Sequence, residues 1–143
     1  MCSFIANAGE RDKNFWLDTE FKSNGDPEET LTTMLFGPHF TTKLYHLSPH
    51  VDFELAMALK RPSSMFLHDL SKPEAKLSKE RYGSVERVYV ICEEDQVISR
   101  AFQRWMIENY GLKEVKELKG SDHMPMFSVP QQLCDCLLEL AQH

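Results

Sequence analysis

Val88-Tyr89-Val90-Ile91-Cys92 is apolar or aromatic at every position, with no polar residue on alternate sites to face water. A strand with one wet face alternates; an unbroken run of this length reads as a strand covered on both faces, as in a parallel sheet flanked by helices. The residues that follow fit that frame. Ser99 is placed to cap a helix whose Phe102, Trp105, Met106 and Tyr110 share one stripe, and Gly111 closes it. Leu112 to Leu118 predicts a weaker, alternating strand. Ser128-Val129-Pro130-Gln131 then predicts the start of a last helix running through Leu133, Leu137 and Leu140. Strand, helix, strand, helix at this spacing implies parallel strands joined by right-handed crossovers, which places the chain in the α/β class.

The first half is organised differently, in short elements broken by turns. Asp26-Pro27-Glu28-Glu29 combines an N-cap, a first-turn proline and a capping-box glutamate. It predicts a helix carrying Leu31, Met34 and Leu35 that stops at Gly37-Pro38. Ser48-Pro49 opens a second predicted helix with Val51, Leu55, Ala58 and Leu59 on one face, ending before Pro62. Met65-Phe66-Leu67 reads as a brief strand.

Composition narrows the function classes. The 143 residues are 42% hydrophobic and 27% charged, ordinary for a globular unit. A net charge of −6, with basic residues scattered rather than clustered, argues against nucleic acid as a partner. No apolar run is long enough to cross a bilayer, and Met1-Cys2-Ser3-Phe4-Ile5 lacks the basic and apolar regions of a signal peptide. A cytoplasmic protein without a membrane partner is expected. Cys2, Cys92, Cys134 and Cys136 stand at no zinc-ligand spacing, and Cys134 and Cys136 point to different faces of the last helix. They read as reduced thiols, and neither a metal nor another cofactor is expected.

In open α/β sheets, functional side chains gather in the loops leaving the C-terminal ends of strands. Two such loops occur here, Glu93-Glu94-Asp95-Gln96 and Lys119-Gly120-Ser121-Asp122-His123-Met124. A carboxylate in one and the histidine in the other, on adjacent strands, would be two members of a catalytic triad. On residue type alone the same pattern also describes solvated acidic loops and a surface histidine.

A set of short motifs then distinguishes these readings: Trp16-Leu17-Asp18-Thr19, Phe36-Gly37-Pro38, Lys43-Leu44-Tyr45, Arg61-Pro62-Ser63-Ser64, Tyr82-Gly83-Ser84-Val85, Phe102-Gln103-Arg104-Trp105 and Gly120-Ser121-Asp122-His123-Met124. In order and spacing they resemble the plant methylesterases of the α/β-hydrolase superfamily, over nearly the whole chain. The resemblance implies the C-terminal portion of an α/β-hydrolase fold, with residues 1–82 as the cap and residues 83–143 carrying the last two parallel strands and their helices. It implies Asp95 as triad acid and His123 as general base and acid. It implies an apolar acyl pocket lined by Trp16, Phe21, Met34, Met65 and Met124, although aromatic and Met residues at such positions are also ordinary core. The family cleaves methyl esters of small signalling acids such as salicylate, jasmonate and indole-acetate, so a small ester or free acid is the implied partner.

Two departures matter. The position after the histidine is Met124, where hydroxynitrile lyases of the same group carry lysine, which favours esterase over lyase. The family's serine lies in a Gly-x-Ser-x-Gly elbow, and no such elbow occurs in this sequence. The chain as written therefore has a base and its orienting acid but no nucleophile, and a catalytically inactive module that binds a small acid is the competing expectation. With only two parallel strands expected, an unpaired sheet edge predicts homo-oligomers or aggregation.

Overall fold

A computed structural model of the protein describes residues 15–23, 32–66, 72 and 77–142. Packing divides the chain into two compact units, Met1–Phe40 with Leu59–Ser84, and Thr41–Ala58 with Val85–His143.

In the first unit, strands β1 (Glu20–Ser23), β2 (Thr32–Leu35) and β3 (Ser63–Ser64) form an antiparallel sheet in that order. The register sets Phe21 opposite Met34 and Met34 opposite Ser63. This corrects the helix expected through Met34 and Leu35; the Asp26 cap that announced it lies outside the described residues. The β-branched pair Thr32-Thr33 suits a strand, and pairing on both sides of β2 overrides the local helical signal. Likewise the strand expected at Met65-Phe66-Leu67 lies earlier, at β3, and Phe66 turns to a positive φ of 52°. Leu67 falls outside the described residues.

Gly37-Pro38 starts a helix where a stop was expected. Helix α1 (Pro38–Leu44) has proline in its first position, where no amide hydrogen is needed. Its free amides are met from a distance: the Asp18 carboxylate accepts from His39 N at 2.8 Å and Phe40 N at 2.9 Å. Gly37 makes this approach feasible, because a Cβ there would overlap Asp18 itself. Around the cap, Trp16 and Phe36 both stack on Phe40, at 5.7 Å and 4.5 Å between ring centres, and Phe40 is only 2% exposed.

The second unit contains the parallel pair β4 (Val88–Cys92) and β5 (Glu114–Leu118), in register from Val88 opposite Glu114 to Cys92 opposite Leu118. Helix α3 (Arg100–Tyr110) connects them as expected, with Ser99 Oγ accepting from Phe102 N and Gly111 in the left-handed conformation at φ 60°. Gln103, buried on α3, fastens the helix to β4: Oε1 accepts from Cys92 N at 3.0 Å, and Nε2 donates to Cys92 O at 2.9 Å and Ile98 O at 2.7 Å. Arg100 and Arg104 both reach Glu117 of β5 at 2.6 Å.

Helix α2 (His50–Leu59) has the expected extent but not the expected inner face. Val51, Leu55 and Leu59 are exposed, whereas Phe53, Ala56 and Met57 are half-buried. Apolar residues occur all around this helix, so spacing alone did not fix which stripe turns inward. A short helix α4 (Pro125–Ser128) precedes α5 (Pro130–Leu140). The Ser128 cap expected for α5 is absent: Val129 occupies the cap position without a side-chain bond, and Pro130 takes the first turn. Cys136 is buried and Cys134 exposed, on different faces of α5.

Candidate active site

Because β4 and β5 are paired to their last residues, the loops that leave them start side by side. They are laced together. Glu93 N donates to Leu118 O at 3.2 Å, and Glu94 N donates to Ser121 O at 2.9 Å. The fully buried Ser121 hydroxyl donates to Leu118 O at 2.9 Å and accepts from Glu93 N at 3.2 Å. Gly120, at φ 65°, lets the second loop turn sharply off β5.

This lacing brings Asp95 and His123 together, with Asp95 Oδ2 2.8 Å from His123 Nδ1. The other oxygen, Oδ1, accepts from Val97 N at 2.7 Å and Ile98 N at 2.9 Å. An ionised carboxylate can only accept, so Nδ1 carries the hydrogen and Nε2 presents a lone pair. Nε2 has no hydrogen-bond partner among the described residues. The Asp95 side chain is 5% exposed and that of His123 30%, which leaves the ring able to exchange a proton with a neighbouring hydroxyl. Glu93 is engaged elsewhere, in an ion pair with Arg100 at 3.1 Å.

Immediately before His123 lies Asp122, wholly buried. Its Oδ2 accepts from Leu47 N at 3.0 Å and Ser48 Oγ at 2.8 Å, and its Oδ1 accepts from Met124 N at 2.9 Å. Burial acts to raise the Asp122 pKa, but the bonds from Met124, Ser48 and Leu47 outweigh it and hold the carboxyl below the usual range. The nearby Tyr45 phenol is pushed up, first by burial and then by the negative charge of Asp122.

Of the expected pocket residues, the structure groups three in the first unit: the Trp16 ring packs edge-on to Phe21 at 5.4 Å, and Phe21 faces Met34 across β1 and β2. Met65 lies in the same unit, half-buried, just beyond β3. Met124, in the second unit, is half-buried beside His123 and precedes α4. None of the five lines the open apolar groove of about 340 Å³ on α4 and α5, which is formed by Met126, Pro130, Leu133, Cys134, Leu137 and Leu138. Asp122 and Gln103 were not anticipated as supports. Gln103 did carry a signal, since a polar residue falls there on the same helical face as Met106 and Tyr110. Among the described residues, no group of His, Cys, Asp and Glu is arranged to hold a metal ion, and no helix is long and apolar enough to cross a membrane.

Two parallel strands with a carboxylate after one and a histidine after the next are the C-terminal portion of an α/β-hydrolase, and comparison with solved structures agrees. Polyneuridine aldehyde esterase superposes with a TM-score of 0.89 at 40% identity, over 96% of this chain and 54% of that one. Tomato methylketone synthase I superposes with a TM-score of 0.80 at 39% identity, over 99% of this chain and 54% of that one. The chain is a relative of the plant methylesterases. It is 54% identical over 127 residues to salicylic acid-binding protein 2 of Nicotiana tabacum, covering 88% of this chain and 48% of that protein. It is 47% identical over 127 residues to methylesterase 1 of Arabidopsis thaliana, covering the same 88% and 48%. The chain thus spans about half the length of the relatives it matches. No family model matches it.

Proposed function

We propose that the chain is the acid–base half of a cytoplasmic carboxylic-ester hydrolase acting on methyl esters of small acids such as salicylate, jasmonate or indole-acetate. The observation that carries this reading is the 2.8 Å contact between Asp95 Oδ2 and His123 Nδ1 at the ends of paired parallel strands. In this reading Nε2 removes the proton from a serine hydroxyl as it attacks the ester carbonyl, and Asp95 stabilises the imidazolium that forms. His123 then returns the proton to the departing methanol oxygen, and a water repeats the sequence to release the acid. The serine and the oxyanion donors belong to a segment other than these 143 residues, since no Gly-x-Ser-x-Gly occurs in them. In this reading residues 1–82 are the cap and Trp16, Phe21, Met34, Met65 and Met124 are acyl-site residues; the edge-on contact of Trp16 with Phe21 and the pairing of Phe21 opposite Met34 support the assignment for those three.

The test joins this chain to the half of salicylic acid-binding protein 2 that it does not match and measures hydrolysis of methyl salicylate, methyl jasmonate and methyl indole-acetate. His123→Ala in the joined protein is expected to lose several orders of magnitude in kcat. Near-normal turnover in that variant would overturn the mechanism. The missing elbow also favours a second reading, a binding module without catalysis. The 143-residue chain alone would then bind salicylate with no ester hydrolysis from the joined protein either.

A further inference from the structure

We propose that Asp122 is a positioning residue for His123, acting from behind through the turn at Leu47-Ser48. The proposal rests on the reading of Asp95 and His123 as an acid–base pair. His123 belongs to neither helix nor strand, so no repeating backbone pattern fixes its direction. Among the described residues, the hydrogen-bond partner of its ring is Asp95. What holds the segment is the residue on each side of it. Asp122 anchors one flank through Oδ2, to Leu47 N and Ser48 Oγ, and the other through Oδ1, to Met124 N. Its own amide donates to Ser128 Oγ at 3.3 Å, and that hydroxyl donates to Met124 O at 3.3 Å, closing a ring of bonds around the His123 backbone.

A carboxylate with no exposure is costly to desolvate, and hydroxyl and amide donors stabilise it only while they stay in place. A buried, multiply bonded charge of this kind resists small displacements, because each shift lengthens several charge-assisted bonds together. The anchor comes from a turn 74 and 75 residues earlier in the chain, so the direction of His123 depends on a segment remote from it in sequence. Asp122 thereby fixes the backbone from which the imidazole reaches Asp95.

The experiment uses the full 143-residue chain labelled with ¹⁵N at histidine. The readouts are the ring nitrogen shifts of His123, which report its tautomer, and the solvent-exchange rate of its Nδ1 proton, which lies far downfield when donated to a carboxylate. Ser48→Ala removes one donor from a half-buried site and is expected to raise that exchange rate about tenfold, as loss of one bond to a charged group implies. Ser48→Thr keeps the hydroxyl and should restore the original rate. Asp122→Asn, whose carboxamide can accept through only one atom, should go further and mix the two tautomers. Ser48→Ala should unfold a few degrees below the parent, while amide exchange across β4 and β5 at temperatures well below unfolding keeps the parent's pattern. An unchanged Nδ1 signature in folded Ser48→Ala would overturn the proposal, as would a signature that weakens only in step with global unfolding. If the parent chain itself shows the Nε2–H tautomer, the acid–base pair fails, an outcome distinct from a normal parent with insensitive variants.

Discussion

Asp95 divides its two oxygens between different tasks, Oδ1 holding the amides of Val97 and Ile98 and Oδ2 facing the imidazole. That division makes Asp95→Asn an informative variant. The asparagine carbonyl can keep both amide bonds, so stability should change little. Its NH2 would face Nδ1, which must then accept, moving the ring hydrogen to Nε2 and removing the lone pair that takes the serine proton. In the joined protein kcat should fall about 10⁴-fold with the urea midpoint nearly unchanged. Asp122 gives a prediction of a different kind. Its folded pKa is depressed, so its contribution is complete above the ordinary carboxylate value and is lost as pH falls through the folded one. The urea midpoint of the chain should therefore drop below about pH 4, and Asp122→Asn should show a shallower acid limb than the parent. That Asp95 and His123 would meet was legible because both follow strand ends and the resemblance to the methylesterases singled them out from ordinary loop residues. Asp122 was not, since nothing adjacent to it in sequence reveals that Leu47 and Ser48 supply its donors.

Helix α3 was readable at both ends because its signals are local: Ser99 at the cap and Gly111 in the one conformation that favours glycine. Strand β2 and helix α1 were not, because what decides them is distant in sequence. Pairing with β1 and β3 makes residues 32–35 a strand, and Asp18 caps α1 from more than twenty residues away. Gln103 shows the same limit within a correctly read element, since its three backbone partners on β4 and in the following loop become visible only in the fold. Replacing it by leucine of similar bulk would leave one amide and two carbonyls without their partner, and should destabilise the chain by about 3 kcal/mol. Gln103→Glu should be no better, because an oxygen would then face two carbonyl oxygens. Urea unfolding of the two variants checks this, and stability close to the parent in either would show that Gln103 does not fasten α3 to β4. Gly111→Ala tests the helix end more gently, with an expected loss of about 1 kcal/mol from the left-handed backbone alone.

Several large apolar side chains among the described residues of the molecule stand in water. In the second unit alone, Val51 and Leu55 of α2, Trp105 of α3 and Leu137 and Leu138 of α5 are all exposed, and the last two border the apolar groove. Each strand of its parallel pair is hydrogen-bonded on one side only among the described residues, so two sets of backbone donors and acceptors stand open. Parallel pairs rarely stand alone for this reason; three or more strands, or helices over both faces, are the usual stable arrangement. Both features favour association with another surface of the same character, and at high concentration the nearest such surface is a second copy. Opposing this is a net charge of −6, which repels like molecules at long range. The balance gives a definite dependence on conditions. Sedimentation equilibrium should show species heavier than the 16.6 kDa chain, increasing with protein concentration and with added salt, which screens the repulsion without weakening apolar contact. Leu137→Glu combined with Leu138→Glu should shift the distribution toward the single chain, since it adds charge at two exposed residues of the groove. A monodisperse single chain at every salt concentration would show that these apolar faces and open edges are satisfied within one molecule.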